Sequence, residues 1–456
     1  MPLQKNQVLT LQVERLSSDG SGVAHSPEGE TVFIPGAAPG DEALVRIVKD
    51  CKRYAFGILD EVLTPSPDRI QVDCAVAGPC GGCSLRHLDY AAELRAKQEN
   101  VADAFARIGG LDVPVLPIVG SPEIDRYRNK VQFPVGTDKT GRPCIGFYAG
   151  RTHRIVPCPD CRLQPGVLNE IGNTLCAFFA EKGIHPYNEE TGKGLVRHIF
   201  LRRGAHSGQI MVCLVSARAK IPSADELCTR LKEAFPDIVT ILLNVNAKNT
   251  NVILGSETHT LYGQGYIEDT LCGVPVQLGP LSFYQVNTLA AEQLYGIAAE
   301  YAQLTPDDLL LDLYCGMGTI GLSMADHCRE LVGVEIVPEA IESAKANAAR
   351  MGTAVSAKSR FFCADAGQAA AQLAAEGLHP DVVMLDPPRK GCDEATLSAV
   401  VRMAPRRVVY VSCNPATAAR DAAWLEQNGY HAEKVQPVDL FPRTRHCECV
   451  LSLSKV

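Results

Sequence analysis

The chain has 456 residues and a formal net charge of −8, with 46% hydrophobic and 21% charged residues. That length is too great for one ordinary hydrophobic core, so we expect about two to four domains. The composition excludes a disordered chain. The start lacks a signal-peptide core and no apolar run could span a membrane, so we expect a cytoplasmic protein. The acidic total excludes a globally basic nucleic-acid coat, but not local basic patches.

Residues 1–63 show the pattern of short strands. Leu9, Leu11 and Val13 alternate with polar residues, a DGSG turn follows, and then come the strand-like segments TVFIPG and ALVRIV. About five such strands in about sixty residues are typical of an OB-like β-barrel, a common RNA-binding module. The prolines of LTPSPDR (63–69) mark the end of this first domain.

Three cysteines lie close together in the glycine-rich stretch that follows, DCAVAGPCGGC. They are Cys74, Cys80 and Cys83, among 18 cysteines in the chain. In a reducing compartment, such spacing favours metal binding or catalysis over disulfides. A helical run over about 89–108 comes next and ends at a pair of glycines. We expect it to pack on the C-terminal domain.

The segment 64–275 is expected to form a central α+β domain. Strand-like IFLRRG, QIMVCLV and VTILLNV are separated by polar turns and one amphipathic stretch, without a catalytic motif. Three basic stretches, RYRNK, RHIFLRR and PRTRH, interleave cations with aromatic or turn residues, as phosphate contacts and base stacking require. Ordinary solvated surface would look the same in any one of them.

From residue 276 onwards, apolar strands alternate with helices, which predicts an α/β, Rossmann-like doubly wound sheet over 276–456. The strand LLLDLY runs into the glycine-rich turn CGMGTIG, and Glu335 ends the next strand, where such folds bind a ribose. A nicotinamide dinucleotide and S-adenosylmethionine both fit this pattern. The later strands must decide between them.

Two acids and a cysteine end later strands of the same domain. Asp365 ends FFCAD, Asp386 begins DPPRKG, and Cys413 ends RVVYVSC, so all three are expected at one edge of the sheet. Helix capping is an alternative for Asp365, and a buried structural thiol is an alternative for Cys413. Glu448 begins the final strand and could serve as a general base if it is partly desolvated.

Taken in order, five motifs make the chain resemble the RNA uridine-5-methyltransferases over nearly its whole length. They are FYQVN (283–287), DLYCGMG (312–318), DPPRKG (386–391), SCNP (412–415) and FPRTRHCE (441–448). The N-terminal segment resembles a TRAM domain. The stretch CAVAGPCGGC is similar to the iron-sulfur segment of the RumA-type ribosomal RNA enzymes.

The resemblance implies a role for each matching residue. S-adenosylmethionine would be held by Gln285, Tyr314, Glu335, Asp365 and Asp386. Cys413 would attack C6 of a flipped-out uridine and Glu448 would remove the C5 proton. Cys74, Cys80, Cys83 and Cys161 would hold a [4Fe-4S] cluster, with Cys158 as an extra thiol nearby. Four thiolates also suit zinc.

The expected partner is RNA, most of all 23S ribosomal RNA, because the similar transfer RNA enzymes lack both the TRAM-like domain and the cysteines. We expect a monomer. The alternatives are uridine-5 methylation of transfer RNA and a non-catalytic iron-sulfur RNA-binding protein. Adenine or guanine amino methylation is disfavoured because Arg389 stands where a stacking aromatic would be. Methylation of cytidine at C5 is disfavoured because SCNP occurs with a distal glutamate.

Overall fold

The computed structural model describes residues 3–150, 152–248 and 250–456. In these segments the chain forms a closed barrel, two seven-stranded sheets and one separate hairpin. No helix in these segments is long and apolar enough to cross a membrane.

The N-terminal barrel has five strands, paired in the order β1-β2-β3-β5-β4 and closed by pairing of β1 with β4. Val13, Val32 and Val45 fill its interior, as the alternating sequence predicts. The predicted OB-like barrel is therefore confirmed. Its strands are β1 (Val8–Leu16), β2 (Ser21–His25), β3 (Thr31–Pro35), β4 (Glu42–Asp50) and β5 (Tyr54–Thr64).

The cysteine segment holds one short helix, α1 (Ala77–Cys80), and leads into α2 (Tyr90–Asp103). The Asp89 carboxylate caps α2 by accepting a hydrogen bond from the Ala91 amide. The helix continues through a π-helical turn, Ala104–Gly109. Val101 and Phe105 are buried in the core of the C-terminal sheet, so α2 packs on that sheet although it precedes the central domain in sequence.

A seven-stranded sheet forms the central domain, in the order β12-β11-β10-β9-β6-β7-β8. Only β10 and β11 are parallel. Helices α3 and α4 cover the sheet with apolar side chains such as Leu175 and Leu231. The elements are β6 (Lys130–Thr137), β7 (Pro143–Tyr148), β8 (Ile155–Pro157), α3 (Gly166–Glu181), β9 (Val196–Arg203), β10 (Ile210–Ser216), α4 (Ala224–Ala234), β11 (Ile238–Val245), β12 (Glu257–Tyr262), and the hairpin β13 (Ile267–Leu271) and β14 (Val274–Leu278).

The C-terminal domain is the predicted doubly wound sheet, in the order β17-β16-β15-β18-β19-β21-β20. The first five strands in this order are parallel to one another, and β21 is antiparallel to both of its neighbours, β19 and β20. The elements are α5 (Thr288–Ala302), β15 (Leu309–Leu313), α6 (Thr319–Ser323), β16 (Glu330–Glu335), α7 (Pro338–Arg350), α8 (Thr353–Lys358), β17 (Ser359–Cys363), α9 (Ala366–Ala375), β18 (Val382–Leu385), α10 (Glu394–Met403), β19 (Arg407–Ser412), α11 (Pro415–Gln427), β20 (Tyr430–Val438) and β21 (Glu448–Lys455).

This strand order creates a switch point between β15 and β18, because the chain winds outward from β15 first to β16 and β17 and then to β18 and β19. Ligands of such sheets bind at the carboxyl ends of the strands beside the switch. The boundaries predicted at residues 63 and 275 stay predictions. In the structure β5 ends at Thr64, and the hairpin β13–β14 spans the second position.

Candidate active site

The carboxyl edge of the C-terminal sheet brings the predicted nucleophile and base together. Cys413 directly follows β19, and Glu448 is the first residue of β21. Because these strands are antiparallel and pair Ser412 with Cys449, Cys413 lies opposite Glu448. The register alone therefore places a thiol beside a carboxyl group.

The turn after β19 fixes the position of Cys413. The Asn414 amide donates to the Ser412 hydroxyl (3.0 Å), and the Asn414 side chain caps α11 by accepting from the Ala416 amide (3.2 Å). Pro415 opens that helix at its first turn, where its missing N–H costs nothing. Cys413 is half-buried at the helix start, whereas Glu448 is only 6% exposed.

Burial controls the protonation of this site. It raises the pKa of Glu448 to about 8, and the nearby Asp386 adds to the rise. Burial also raises the pKa of Asp386 to about 7. The pKa of Cys413 is raised as well, first by burial and then by Glu448 and Asp386. At neutral pH these three acidic groups, Glu448, Asp386 and Cys413, therefore carry little negative charge between them.

One cation opposes this trend. Arg389, in the loop after β18, lies against the Cys413 side chain and lowers the pKa of both Cys413 and Glu448. Its backbone carbonyl accepts from the Asn414 side chain (2.9 Å) and from the Thr417 hydroxyl (3.3 Å), which ties that loop to the nucleophile turn. In the sequence, Arg389 stands out only because it occupies the place where a base-stacking aromatic would be. Its contact with Cys413 was not predicted.

The glycine-rich turn after β15 is shaped by backbone geometry. Gly316 and Gly318 have φ of 54° and 79°, and Tyr314 itself adopts φ of 67°, which is unusual for a residue with a side chain. The Glu335 carboxylate accepts from the Gly316 amide (3.2 Å) and the Val337 amide (2.9 Å). Glu335 therefore lies at the turn, as predicted, while the Tyr314 hydroxyl lies 3.3 Å from the Thr396 hydroxyl under α10.

Asp312, within β15, is an acid that sequence reasoning missed as a site residue. It is 1% exposed, and its Oδ2 accepts from the Gly321 amide at 3.0 Å. Its Oδ1 is buried and has no hydrogen-bond partner among the described residues. Burial raises the pKa of Asp312 to about 8. Asp312 lies inside β15, whereas the sequence pattern marks as site candidates only the acids that end a strand.

The remaining predicted cofactor residues lie at the same edge with different contacts. Gln285 lies beside the buried Tyr295 phenol, which also lies within electrostatic range of Asp386. The Asp365 Oδ1 accepts from the Gly367 amide (3.1 Å) and the Gln368 amide (3.2 Å) at the start of α9. Asp365 thus caps α9, which was the alternative to cofactor binding. Both capping hydrogen bonds are accepted by the same oxygen, Oδ1.

The cysteines gather outside this edge, between the segment before α2 and the loop after β8. Electrostatic contacts link Cys80 with Cys74 and Cys161, and Cys83 with Cys80 and Cys161. The Cys158 thiol hydrogen-bonds Cys161 and is 3% exposed. Within the described segments, no group of three or more histidine, cysteine or acidic side chains has the arrangement of a metal-ion site.

Cys161 differs from the other thiols in this group. Its thiolate form is favoured by the Cys158 thiol, by the backbone of Leu163 and Gln164 and by Arg128. These contacts hold the pKa of Cys161 below its usual value, mainly through the Cys158 hydrogen bond. By contrast, burial raises the pKa of Cys83 to about 11, although Arg86 opposes the rise.

Comparisons with known proteins agree with this geometry. Residues 277–456 match the family model described as tRNA (Uracil-5-)-methyltransferase, and residues 2–59 match the TRAM domain model. An uncharacterized RNA methyltransferase of Halalkalibacterium halodurans is 43% identical over 99% of this chain and 98% of its own length. Another from Bacillus cereus is 42% identical over 100% of this chain and 98% of its own.

A solved structure covers the whole architecture. The crystal structure of Pyrococcus abyssi tRNA (uracil-54, C5)-methyltransferase in complex with S-adenosyl-L-homocysteine is similar with a TM-score of 0.77 and 27% identity. The match covers 98% of this chain and 100% of that one. The predicted family and fold are thus confirmed: the chain is an RNA methyltransferase with an N-terminal TRAM domain, and it belongs to the RNA (uracil-5-)-methyltransferase family.

Proposed function

We propose that the protein transfers a methyl group from S-adenosylmethionine to C5 of a uridine in 23S ribosomal RNA through a covalent adduct of Cys413. The observation that supports this most directly is the pairing of β19 with β21, which sets Cys413 opposite the buried Glu448. A thiol and a raised-pKa carboxyl group on one edge are what nucleophilic activation and later proton removal require.

S-adenosylmethionine would supply the methyl group, and the residues at the edge fit its chemistry. The molecule carries two positive centres, a sulfonium and an ammonium, and acids surround the glycine turn. Asp312 offers a buried oxygen with no partner, and Glu335 lies beside the Gly316 amide. We assign the cofactor-binding role to Gln285, Tyr314, Glu335, Asp365 and Asp386, with Asp312 added from the structure.

Cys413 would act first. Its sulfur, as the thiolate favoured by Arg389, forms a bond to C6 of the uracil, and the C5–C6 electron pair becomes an enolate that takes the methyl group at C5. Glu448, as the carboxylate, then removes the C5 proton. The electron pair of that C–H bond re-forms the double bond and expels the Cys413 thiolate. The nucleophile is regenerated, and one proton remains to be released from Glu448.

The RNA would lie along cations that form no ion pair among the described residues. They are Arg128, Lys130, Arg389 and Arg445, and all but Lys130 act on His446 just before the base. Phosphate groups supply the missing counter-charge in such a surface. Phe283, 73% exposed and two residues before Gln285, offers a face on which a base could stack.

We infer that Cys74, Cys80, Cys83 and Cys161 hold a [4Fe-4S] cluster. Support comes from the convergence of these thiols and from the lowered pKa of Cys161, because a cysteine binds metal as the thiolate. Four cysteine thiolates are a ligand set that both an iron-sulfur cluster and a zinc ion take. We propose the cluster because the stretch CAVAGPCGGC resembles the iron-sulfur segment of the similar enzymes.

A second substrate, transfer RNA, is favoured by one specific observation. The Pyrococcus abyssi enzyme, whose whole chain matches this one, is a tRNA (uracil-54, C5)-methyltransferase. The same architecture over the full length of the chain therefore occurs in a tRNA enzyme, so the domain content alone does not separate ribosomal RNA from tRNA as the substrate. We keep 23S ribosomal RNA as the first proposal because the TRAM domain occurs here together with the gathered cysteines.

One experiment tests reaction and substrate together. Purified protein and S-adenosylmethionine are incubated with unmodified 23S ribosomal RNA or with unmodified tRNA, and methylated nucleosides are mapped by mass spectrometry. We expect 5-methyluridine in the ribosomal RNA, absent with Cys413→Ala. Methyl only on tRNA would replace the substrate and keep the chemistry. No 5-methyluridine on either RNA would reject the proposal.

We further propose that the protein works as a monomer in the cytoplasm. All 18 cysteines of the structure are free thiols, which suits a reducing compartment. Sedimentation at micromolar concentration would reveal a dimer if one forms.

A further inference from the structure

Lys97, on α2, is an almost fully buried cation that the reaction does not use. Its ammonium group donates to Glu93 (2.7 Å), to Asp439 (2.8 Å) and to the Phe441 carbonyl (3.2 Å). Lys97 is 1% exposed, and both carboxylates are 0% exposed. Burial opposes its charge, yet the two carboxylates hold the pKa of Lys97 above its ordinary value. All three donors of the ammonium group are therefore satisfied.

Two of the three partners of Lys97, Asp439 and Phe441, lie on the loop 439–447, whereas Glu93 lies on α2. We name this loop the base loop because it ends directly before Glu448. Two further contacts hold it. The Arg443 amide donates to Glu93 (2.8 Å), and the Tyr127 hydroxyl donates to the Pro442 carbonyl (3.0 Å). Arg443 has φ of 67°, so the loop turns sharply at the residue that Glu93 holds.

The base loop also contacts the end of the cysteine segment. The Leu85 amide donates to the Arg443 carbonyl (3.1 Å), and the Arg443 guanidinium donates to the Leu88 carbonyl (2.9 Å). Arg443 is 6% exposed and also lies 3.8 Å from the second oxygen of Glu93. The network is thus two cations and two carboxylates, neutral in sum, that join α2 and the cysteine segment to the base loop.

Buried ion pairs add little stability compared with well-packed apolar residues, because desolvation offsets most of the attraction. Their hydrogen bonds are directional, however, and fix one arrangement where apolar packing would allow several. Here they join residues about 350 positions apart in sequence. Apolar contacts of α2 and of the π-helical turn after it, such as those of Val101 and Phe105, already dock the helix on the sheet. What the ions add is the conformation of the base loop.

We infer that Lys97 is a positioning residue that holds Glu448 in place for removal of the C5 proton. The inference rests on the proposed covalent mechanism. Cys413 lies at the end of β19 and is held by Asn414 and α11, outside this network. Loss of Lys97 should therefore slow the elimination step while leaving attack and methyl transfer nearly intact, so that the methylated covalent adduct accumulates.

The test follows single turnovers of the full-length protein with substrate RNA and S-adenosylmethionine labelled in the methyl group. Lys97→Met and Lys97→Met/Asp439→Asn remove the ammonium group, the latter without leaving an excess negative charge. Tyr127→Phe removes one contact of the base loop without burying a charge, so it serves if the lysine variants do not fold. Glu448→Gln is the reference for a lost base, and Arg230→Met, in an exposed ion pair with Glu226, is the matched control.

We expect first-turnover methyl incorporation within about threefold of the wild type and release of methylated RNA slowed by about 10–100-fold. The labelled RNA should accumulate in a complex with the protein that withstands denaturant, as with Glu448→Gln. Arg230→Met should behave as the wild type, and Tyr127→Phe should show a smaller effect in the same direction.

A folded Lys97→Met variant that releases product at the wild-type rate would overturn the inference. So would an equal loss of methyl transfer and release without adduct, which marks a merely structural role. If the lysine variants do not fold, wild-type release by Tyr127→Phe overturns it. A Glu448→Gln variant that forms no adduct would reject the base assigned under the proposed function, and this inference with it.

Discussion

The two functional regions of the molecule are built in opposite ways. At the edge of the C-terminal sheet for which we propose catalysis, parallel strand ends and one antiparallel pairing bring Cys413 and Glu448 together. In the cysteine region, thiols from the segment before α2 meet a thiol from the loop after β8. The segment before α2 is irregular apart from the short helix α1, which ends at Cys80. Register determines the geometry of the first region, whereas long-range packing determines that of the second. Substitutions in the first region should therefore affect the rate of the reaction, and substitutions in the second should affect assembly of the metal site.

The largest expected effect is that of Cys413→Ala, which removes the proposed nucleophile. Uracil C5 is too weakly nucleophilic without attack at C6, so methylation should fall by at least about 10³-fold. S-adenosylmethionine binding should be unchanged, because no acid of the glycine turn is altered. Single-turnover methyl transfer measures the first quantity and calorimetric titration the second.

The adduct supplies an independent check. Wild-type protein incubated with RNA that carries 5-fluorouridine should become trapped, because fluorine at C5 cannot be removed as a proton. Cys413→Ala should not be trapped. A trapped alanine variant would show that another nucleophile attacks C6.

The next effect concerns pH and Arg389. Glu448 has a pKa of about 8, so below that pH it is mostly protonated and cannot act as a base. The rate of product release by the wild type should therefore rise with pH and level off above about 8. Arg389→Gln removes the cation that lowers the pKa of Cys413 and Glu448, so its profile should move to higher pH. At pH 7 the release rate should fall about tenfold if the profile moves by about one pH unit.

High pH should largely restore the rate of Arg389→Gln, because the groups that react are still present. Cys413→Ala should not recover at any pH. A pH-independent loss in Arg389→Gln would mean that the guanidinium contacts RNA rather than the thiol. Arg230→Gln, which changes an exposed cation paired with Glu226 on another domain, is the matched control.

The cysteine region should respond through metal content. Cys161→Ser removes the thiol whose pKa is lowered, and we expect protein purified without oxygen to lose its iron, about four atoms per chain. Cys158→Ser is the matched control, because Cys161 and burial raise the pKa of its thiol, and it should keep most of the iron. Iron and acid-labile sulfide analysis measures both.

Equal iron in both variants would reject Cys161 as the fourth ligand, and loss only in Cys158→Ser would exchange the two assignments. Zinc in place of iron in the wild type would reject the cluster itself. Either result would leave the catalytic edge untouched, as the contrast between the regions requires.

Sequence reasoning placed Cys413 and the strand-ending acids at one edge of the sheet because the signals for that placement are local. Alternation predicted the barrel, strand-ending acids and a strand-ending cysteine predicted one edge, and the helix after the cysteines was confirmed as α2 (Tyr90–Asp103). It could not reach Arg389 or Lys97. Their partners lie on other elements, up to about 350 residues away, and no spacing rule encodes such contacts.

The smallest expected effect is that of Arg128→Gln, at the seam between the two regions. Arg128 has no ion pair among the described residues, and it lies near both Cys161 and His446. If it contacts a phosphate, the slope of log affinity for RNA against log salt should fall by about 0.7–0.9. The pH profile should stay unchanged, because Arg128 does not act on Cys413 or Glu448. Arg230→Gln, a cation already paired with carboxylates, should leave the slope as it is. An unchanged slope together with altered iron content would instead show that Arg128 stabilises the cysteine thiolates, because its guanidinium lies near both Cys161 and His446.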